Sequence, residues 1–387
     1  MEECIVQTFV DKIDEMDYHS RISREERIIP LYNVTFFVGA GFPKSINNEF
    51  PSGDDLFKFD NSDIRLVDKY DELSTFCRYC GMMNTSIDLN KFKSVYYRLQ
   101  LMMRNPFLHG RFWDSSNLMQ VDNQFRLLVK DKLDKSNLLK YVDGNTHFNQ
   151  NLPEPIYHFF NDILHRVTEH HGAPAGIRNN FLTTNYDFMV ESILDACSYD
   201  TENCGINTYR GFTPNLINGS KSRISTFENQ NVIPVIKLNG GAEIYDNDSG
   251  YVLDYRKDND FSTHGIAPEL ILPCQEQSYS SRYFQTIFPK AVRILQETDV
   301  LVIIGYSFPE EDGLVKFLLS QFAESECDAL TKHLFYITKE SDVDSLRTKI
   351  MDACPFIKDN LRIYNKGFGS FVKEYYDVYS RWRRPCD

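Results

Sequence analysis

The chain has 387 residues, of which 42% are hydrophobic and 25% charged, with a formal net charge of -13 at pH 7. That is the composition of a globular protein long enough for two or three core-forming layers, with no disorder-dominated region. The acidic balance argues against a surface made for nonspecific grip on nucleic acid, because that affinity comes mainly from Lys and Arg neutralising phosphates.

The N-terminus, MEECIVQTFVDKIDEMDYHS, carries acids and no long apolar core, so it reads as neither a signal peptide nor a transit peptide. No apolar run approaches the roughly 20 residues that a membrane-spanning helix needs. A cytoplasmic location without membrane or direct nucleic-acid contact is expected. The nine scattered cysteines are then expected as reduced thiols and not as a disulfide framework.

Residues 1–30 form an N-terminal helical segment, with Ile5, Phe9, Val10, Ile13 and Met16 on one side and a charged turn from Arg21 to Arg27. LYNVTFFVGAGFPKS, Leu31 to Ser45, follows. Its Val- and Phe-rich run ends abruptly in Gly39-Ala40-Gly41, the pattern of a buried strand entering a tight turn. Without side chains at Gly39 and Gly41 a ligand could approach the backbone, and the N–H groups of the next helix would face a phosphate. The alternative is an ordinary strand-to-loop turn, since Lys44 stands where a dinucleotide fingerprint would have its third glycine.

Residues 63–172 read as a mainly helical insertion whose aromatic and Met residues at helical spacing belong to a core. Pro153 to Gly172 reads as one helix, with prolines at its start, a glycine past its end and a stripe of Ile156, Phe159, Phe160, Ile163, Leu164 and Val167. Residues 31–62 and 173–387 carry the strand-rich pattern. NNFLTTNYDF is a second buried strand with a polar tip at Thr183 to Asp187 and a helix resuming at Phe188. NVIPVIKLNGG is a third, and Ala242 to Pro268 reads as a polar surface excursion. A helix from Ser278 to Glu297 leads into a fourth strand, TDVLVIIGYSFPEED, and HLFYITKE is a fifth, followed by helices around Val343 to Met351 and from Phe368 to Arg384. Strands alternating with helices predict an α/β, Rossmann-like, mostly parallel sheet with helices on both faces, plus the helical insertion. Ligands of such sheets bind beyond the carboxyl ends of the strands, where GAG, TTNYD, KLNGG and GYSFPEED all fall.

Those motifs, Gly39-Ala40-Gly41 with Ser45, Thr183-Thr184-Asn185-Tyr186-Asp187, Lys237-Leu238-Asn239-Gly240 and Gly305-Tyr306-Ser307-Phe308-Pro309, resemble in their order the sirtuin superfamily. The resemblance is to the sirtuin-like NAD-hydrolysing domains of bacterial antiphage defence proteins. It implies that Gly39, Ala40, Gly41 and Ser45 hold the diphosphate of NAD+ and that Asn185 sits by the nicotinamide ribose. Gly305 and Ser307 would contact the adenosine half, with Thr184 and Thr338 completing the binding set.

The implied activity is hydrolysis of NAD+ to nicotinamide and ADP-ribose, depleting NAD+ during antiphage defence, with Asn185, Asp187 and Asn239 as the catalytic set. In this family a His usually stands at position 239 and acts as base. An amide cannot do so near neutral pH, although Asn239 can hydrogen-bond a ribose hydroxyl. The alternative is a regulatory or assembly subunit that binds NAD+ or ADP-ribose with little or no catalysis. Asn185 orients the water and ribose hydroxyls or caps the helix that follows; Asp187 supports Asn185 or caps that helix. His264 is a second source of a base or a solvated loop residue.

No metal is expected. The paired Cys-x-x-Cys units of the sirtuin zinc module are missing, since Cys77 and Cys80 precede Asn185 and lack a second pair. His165 and His170, with Glu169 between them, are about 140 degrees apart on a helix and do not share a metal easily. The resemblance also implies assembly, as a homo-oligomer or with a HerA-like hexameric ATPase.

Overall fold

The computed structural model describes residues 4–25, 31–51, 53–60, 70–82, 86–109, 111–135, 152–170, 173–199, 206–219, 223–229, 232–247, 249–256 and 266–382. At its centre lies β1 (Leu31–Val38), paired in parallel with β3 (Ala173–Thr183) on one side and β10 (Val300–Ile304) on the other. Beyond β3 come β7 (Val232–Lys237), β4 (Asn207–Tyr209) and β6 (Arg223–Ile224); beyond β10 come β11 (His333–Ile337) and β12 (Leu361–Tyr364). Every neighbouring pair along this path is parallel. The chain first fills one side of β1, with β3, then the outer β4 and β6, and then β7 set between β3 and β4. It crosses to the other side at β10, so the strand order reverses at β1, where an α/β sheet opens a crevice. The architecture is α/β and Rossmann-like.

The adjacent phenylalanines of β1 show why both faces must be covered, since successive side chains point to opposite sides of a strand. Phe36 packs with Phe181, Val302 and Phe335 under three helices: α1 (Ile5–Glu25), α6 (Glu154–Leu164) and α12 (Phe368–Trp382). Their rings interlock there, Phe9 lying 5.1 Å from Phe335 and Phe159 4.9 Å from Tyr375. Phe37 faces the other way with Leu182, Ile236 and Ile303, against Tyr283, Ile287 and Ile294 of α8 (Arg282–Glu297).

The second core continues into α3 (Asp71–Tyr79), α4 (Leu89–Arg104) and α5 (Ser115–Lys135), through Phe76, Phe92, Leu99, Leu118 and Phe125. Helix α4 begins where the Asp88 side chain accepts the Lys91 N–H at 2.9 Å, a side-chain cap for a donor the helix leaves open.

Three expectations are corrected. The helix expected from Pro153 to Gly172 ends at Leu164, and Val167–His170 is instead β2, antiparallel to the start of β3. Arg166, held by Asp14 at 2.6 Å and Asp162 at 2.9 Å, fixes the change of direction, and β-branched residues follow it. His165 and His170 therefore do not share a helix. The segment from Ala242 to Pro268 is not a polar excursion: β8 (Ile244–Asn247) and β9 (Gly250–Asp254) join β5 (Pro214–Asn218) in a second sheet, burying Tyr245, Leu253 and Tyr255. The buried apolar residues stand there in short runs, Ile244-Tyr245 and Val252-Leu253, set among polar ones, so polarity counted over the whole window hides them. Helix α8 begins at Arg282, not at Ser278. His264 lies outside the described residues.

Candidate functional site

The turn after β1 is closed by backbone. The Gly39 N–H donates to the Ile304 carbonyl at 2.9 Å, the Gly41 N–H to the Gly305 carbonyl at 2.8 Å and the Phe42 N–H to the Gly39 carbonyl at 2.9 Å. A Cβ on Gly39 would stand 2.7 Å from both the Gly305 carbonyl oxygen and Tyr306 Cα, and one on Gly305, at φ +65°, 2.5 Å from the Phe42 nitrogen. These glycines thus let two strand tips interlock before any ligand is considered. The Ala40 N–H takes no part in these bonds, and α2 (Gly41–Ile46) is a short helix whose Ser45 hydroxyl donates back to the Phe42 carbonyl at 2.6 Å.

From β3, the Thr183 hydroxyl donates to the Val38 carbonyl at 3.0 Å and receives the Asn185 N–H at 3.0 Å. The Asn185 side-chain amide nitrogen donates to the Gly39 carbonyl at 2.9 Å, which ties this tip to the glycine turn. Asp187 Oδ1 accepts the Met189 N–H at 2.8 Å, capping α7 (Met189–Tyr199). Asp187 is buried, and that burial pushes its pKa up to about 6, with Glu191 adding and the Met189 N–H and Lys237 opposing.

Behind Asp187 lies a charge cluster. Lys237 Nζ donates to the Asp187 carbonyl at 2.6 Å and pairs with Glu191 at 3.0 Å and Glu243 at 2.8 Å, while Arg210 stands 3.6 Å from Glu191. All four charged residues are buried. Desolvation lowers the Lys237 pKa, but Glu191 and Glu243 outweigh it and the net shift is upward, so the ammonium is kept. Sequence reading singled out only Lys237. The missed signal was a charge inside an apolar run: Glu191 in FMVESIL.

Asn239 follows on the same tip. Its carbonyl accepts the Ile271 N–H at 2.8 Å, and a Cβ on Gly240 (φ +84°) would stand 1.8 Å from the Glu269 carbonyl oxygen. The main chain is fixed from both sides. Asn239 is only 6% exposed, yet its side-chain Oδ1 has no hydrogen-bond partner among the described residues. A buried carbonyl left without a donor is costly, and a ligand would relieve the cost.

Two cavities meet at these tips. The inner one, about 330 Å³, is lined by Thr184, Asn185, Asp187 and Asn239, with Phe57, Leu89, Lys93 and Leu133 on the opposite wall. The outer one, about 660 Å³, is lined by Gly41, Lys44, Ser45, Thr338, Lys339 and Lys349. Ala40, Gly305 and Ser307 line both. Gly39 lines neither and instead lends its carbonyl to Asn185. In the outer cavity the Thr338 hydroxyl accepts the Glu340 N–H at 3.0 Å.

At the β10 tip, which GYSFPEED had marked, the residue that sequence reading missed is Lys93, brought against it by α4. There Lys93 pairs with Glu311 at 2.5 Å, Tyr306 donates to Asp312 at 3.0 Å, and Phe308 has a φ of 53°, a left-handed backbone that side-chain-bearing residues seldom adopt. Among the described residues no group of three His, Cys, Asp or Glu side chains is placed to hold a metal ion, no disulfide joins cysteines, and no helix is long and apolar enough to cross a membrane. Cys77 is buried in α3, which pushes its thiol up to about 12, with Cys80 adding to the shift.

No family model and no curated protein matches the chain. Among solved structures it is similar to one described as "Structural Basis for the Mechanism and Regulation of Sir2 Enzymes", at 12% sequence identity and a TM-score of 0.34, covering 96% of this chain and 99% of that one.

Proposed function

We propose that this chain binds NAD+ across the two cavities and hydrolyses its bond between nicotinamide and ribose, releasing ADP-ribose. The observation that supports this reading is the junction itself: a cavity walled by Asn185, Asp187 and Asn239 shares Ala40, Gly305 and Ser307 with a second, larger one. That layout suits a molecule with two halves joined by a diphosphate. Nicotinamide riboside would occupy the inner cavity and adenosine the outer. The diphosphate would lie at the Ala40 N–H and Ser307, since the N–H groups of Gly39, Gly41 and Phe42 are engaged within the protein. Gly39 and Gly41 would then serve the ligand by shaping the turn.

Breaking the bond resembles glycoside hydrolysis through an oxocarbenium-like state, with nicotinamide leaving as a neutral group. The protein's task is to hold the ribose, exclude bulk water and orient one water. With the amide nitrogen of Asn185 bound to Gly39, its Oδ1 is the end that would accept from a ribose hydroxyl or the water. The unpartnered Oδ1 of Asn239 would accept from a second hydroxyl.

The test is nicotinamide release by the purified chain, with ADP-ribose affinity measured by calorimetry. Asn185→Ala is expected to lower turnover by at least about 100-fold. Asn239→Ala is expected to weaken ADP-ribose binding about 3-fold to 10-fold, the loss of one hydrogen bond. Binding without turnover would leave the second reading, a nucleotide-sensing subunit, which the amide at position 239 favours.

The defence role and the partners rest on the sequence resemblance. We propose NAD+ depletion during phage infection by a homo-oligomer or a complex with a HerA-like ATPase. Light scattering of the active material tests it, and a fully active monomer would overturn the assembly.

A further inference from the structure

The reaction needs an acceptor for a proton of the attacking water, and the amide at position 239 supplies none. Most ionisable side chains lining the inner cavity are occupied with one another or with backbone. Lys93 and Glu311 hold each other at 2.5 Å; Asp312 accepts from the Tyr306 hydroxyl at 3.0 Å and from Gln277 at 3.2 Å; the Tyr186 hydroxyl donates to the Ile271 carbonyl at 2.5 Å. Asp54 is exposed.

Asp187 differs from these. It lines the same wall as Asn185 and Asn239, it is buried, and its helix cap uses one carboxylate oxygen, Oδ1, while Oδ2 takes no part in the cap. Its main chain is pinned from behind by Lys237, itself clamped between Glu191 and Glu243. A carboxylate whose backbone is anchored and whose first oxygen is fixed presents the second in a defined direction, which is what an acid–base group requires.

We infer that Asp187 is the general base of the hydrolysis proposed above, an inference that rests on that reading. As the ribose–nicotinamide bond breaks, its electron pair leaves with nicotinamide. The water oxygen bonds to the ribose carbon, one water proton passes to Asp187 Oδ2, and that proton is later released to solvent. The products are ADP-ribose, nicotinamide and H⁺.

The charged groups facing Asp187 are Lys237 from the β7 tip, which favours the carboxylate, and Glu191 from α7, which disfavours it; Glu243 and Arg210 act through them. Burial outweighs the attraction and brings the carboxyl to about 6, near the pH at which a base can be both ionised and effective. Because the base acts when ionised, turnover falls as pH drops below about 6.

The test is Asp187→Asn in the full chain, an isosteric change whose amide oxygen still caps the Met189 N–H. Asp187→Ser, which also caps a helix, is the second variant, and thermal unfolding of both checks the fold. For both variants kcat is expected to fall at least about 100-fold, with ADP-ribose affinity within about threefold of the unaltered chain and the acid limb of kcat/KM lost. A variant that keeps kcat and the acid limb while KM rises overturns the inference, assigning Asp187 to ligand binding. One that keeps both while only its thermal midpoint falls also overturns it, leaving Asp187 as a cap. If the unaltered chain binds ADP-ribose but releases no nicotinamide, the hydrolase reading itself fails and takes this inference with it.

Discussion

At the β1–β10 junction main chain meets main chain, and the space a side chain would need at Gly39 or Gly305 is already taken by the other strand's turn. At the β3–β7 junction four buried charges do the joining: Glu191, Arg210, Lys237 and Glu243. Short-range repulsion governs the first, so no larger residue fits unless the strand tips move apart. Long-range electrostatics governs the second, so side chains can change provided the buried charge stays balanced. The two sides of the proposed ligand site are therefore vulnerable to different kinds of substitution.

The largest effect is expected at the charged junction. Lys237→Met leaves two buried carboxylates with Arg210 alone, and breaking such a network typically costs about 3–5 kcal/mol, readable by urea unfolding. Adding Glu243→Gln should restore part of that loss, because one uncompensated charge is removed. A single variant within about 1 kcal/mol of the original would show that the cluster does not hold this tip.

A smaller loss is expected at the glycine junction. Gly305→Ala forces a side chain into the left-handed region, about 1–3 kcal/mol from the backbone alone, and should also weaken ADP-ribose binding by spreading the turn. Gly313→Ala is the control: its Cβ meets nothing within 4 Å. That change is expected to be neutral or stabilising by up to about 1 kcal/mol. Equal losses at both positions would remove the steric account of the junction.

The smallest effect on stability is expected from Lys93→Met, which breaks the bridge between α4 and the loop after β10. Both partners keep some solvent, 25% and 19% exposed, so the cost should stay below about 1 kcal/mol. Faster dissociation of ADP-ribose in stopped flow, with stability nearly unchanged, would mark this pair as a closure of the inner cavity. Unchanged dissociation would make it a surface contact.

The amino-acid sequence by itself determined the strands β1, β3, β7, β10 and β11 and the polar tips that end them. A strand buried on both faces must be apolar along its length, and LYNVTFFV, VIPVIK and VLVII carry that mark locally. It also showed that glycine is needed after β1, though not why. What lies against Gly39 is Gly305, more than 260 positions away, and only the tertiary structure brings them together. The same holds for the cluster around Lys237, drawn from α7, the β4 end, the β7 tip and the start of β8. It holds also for β2, four residues long and set by its pairing with β3, and for the second sheet, whose short strands are set by their pairing with one another. Hydrophobic pattern reports which face of an element seeks cover, because that depends on the element's own geometry. Which residue supplies the cover, and which buried charge meets its counter-charge, depends on contacts between distant segments that no local pattern encodes.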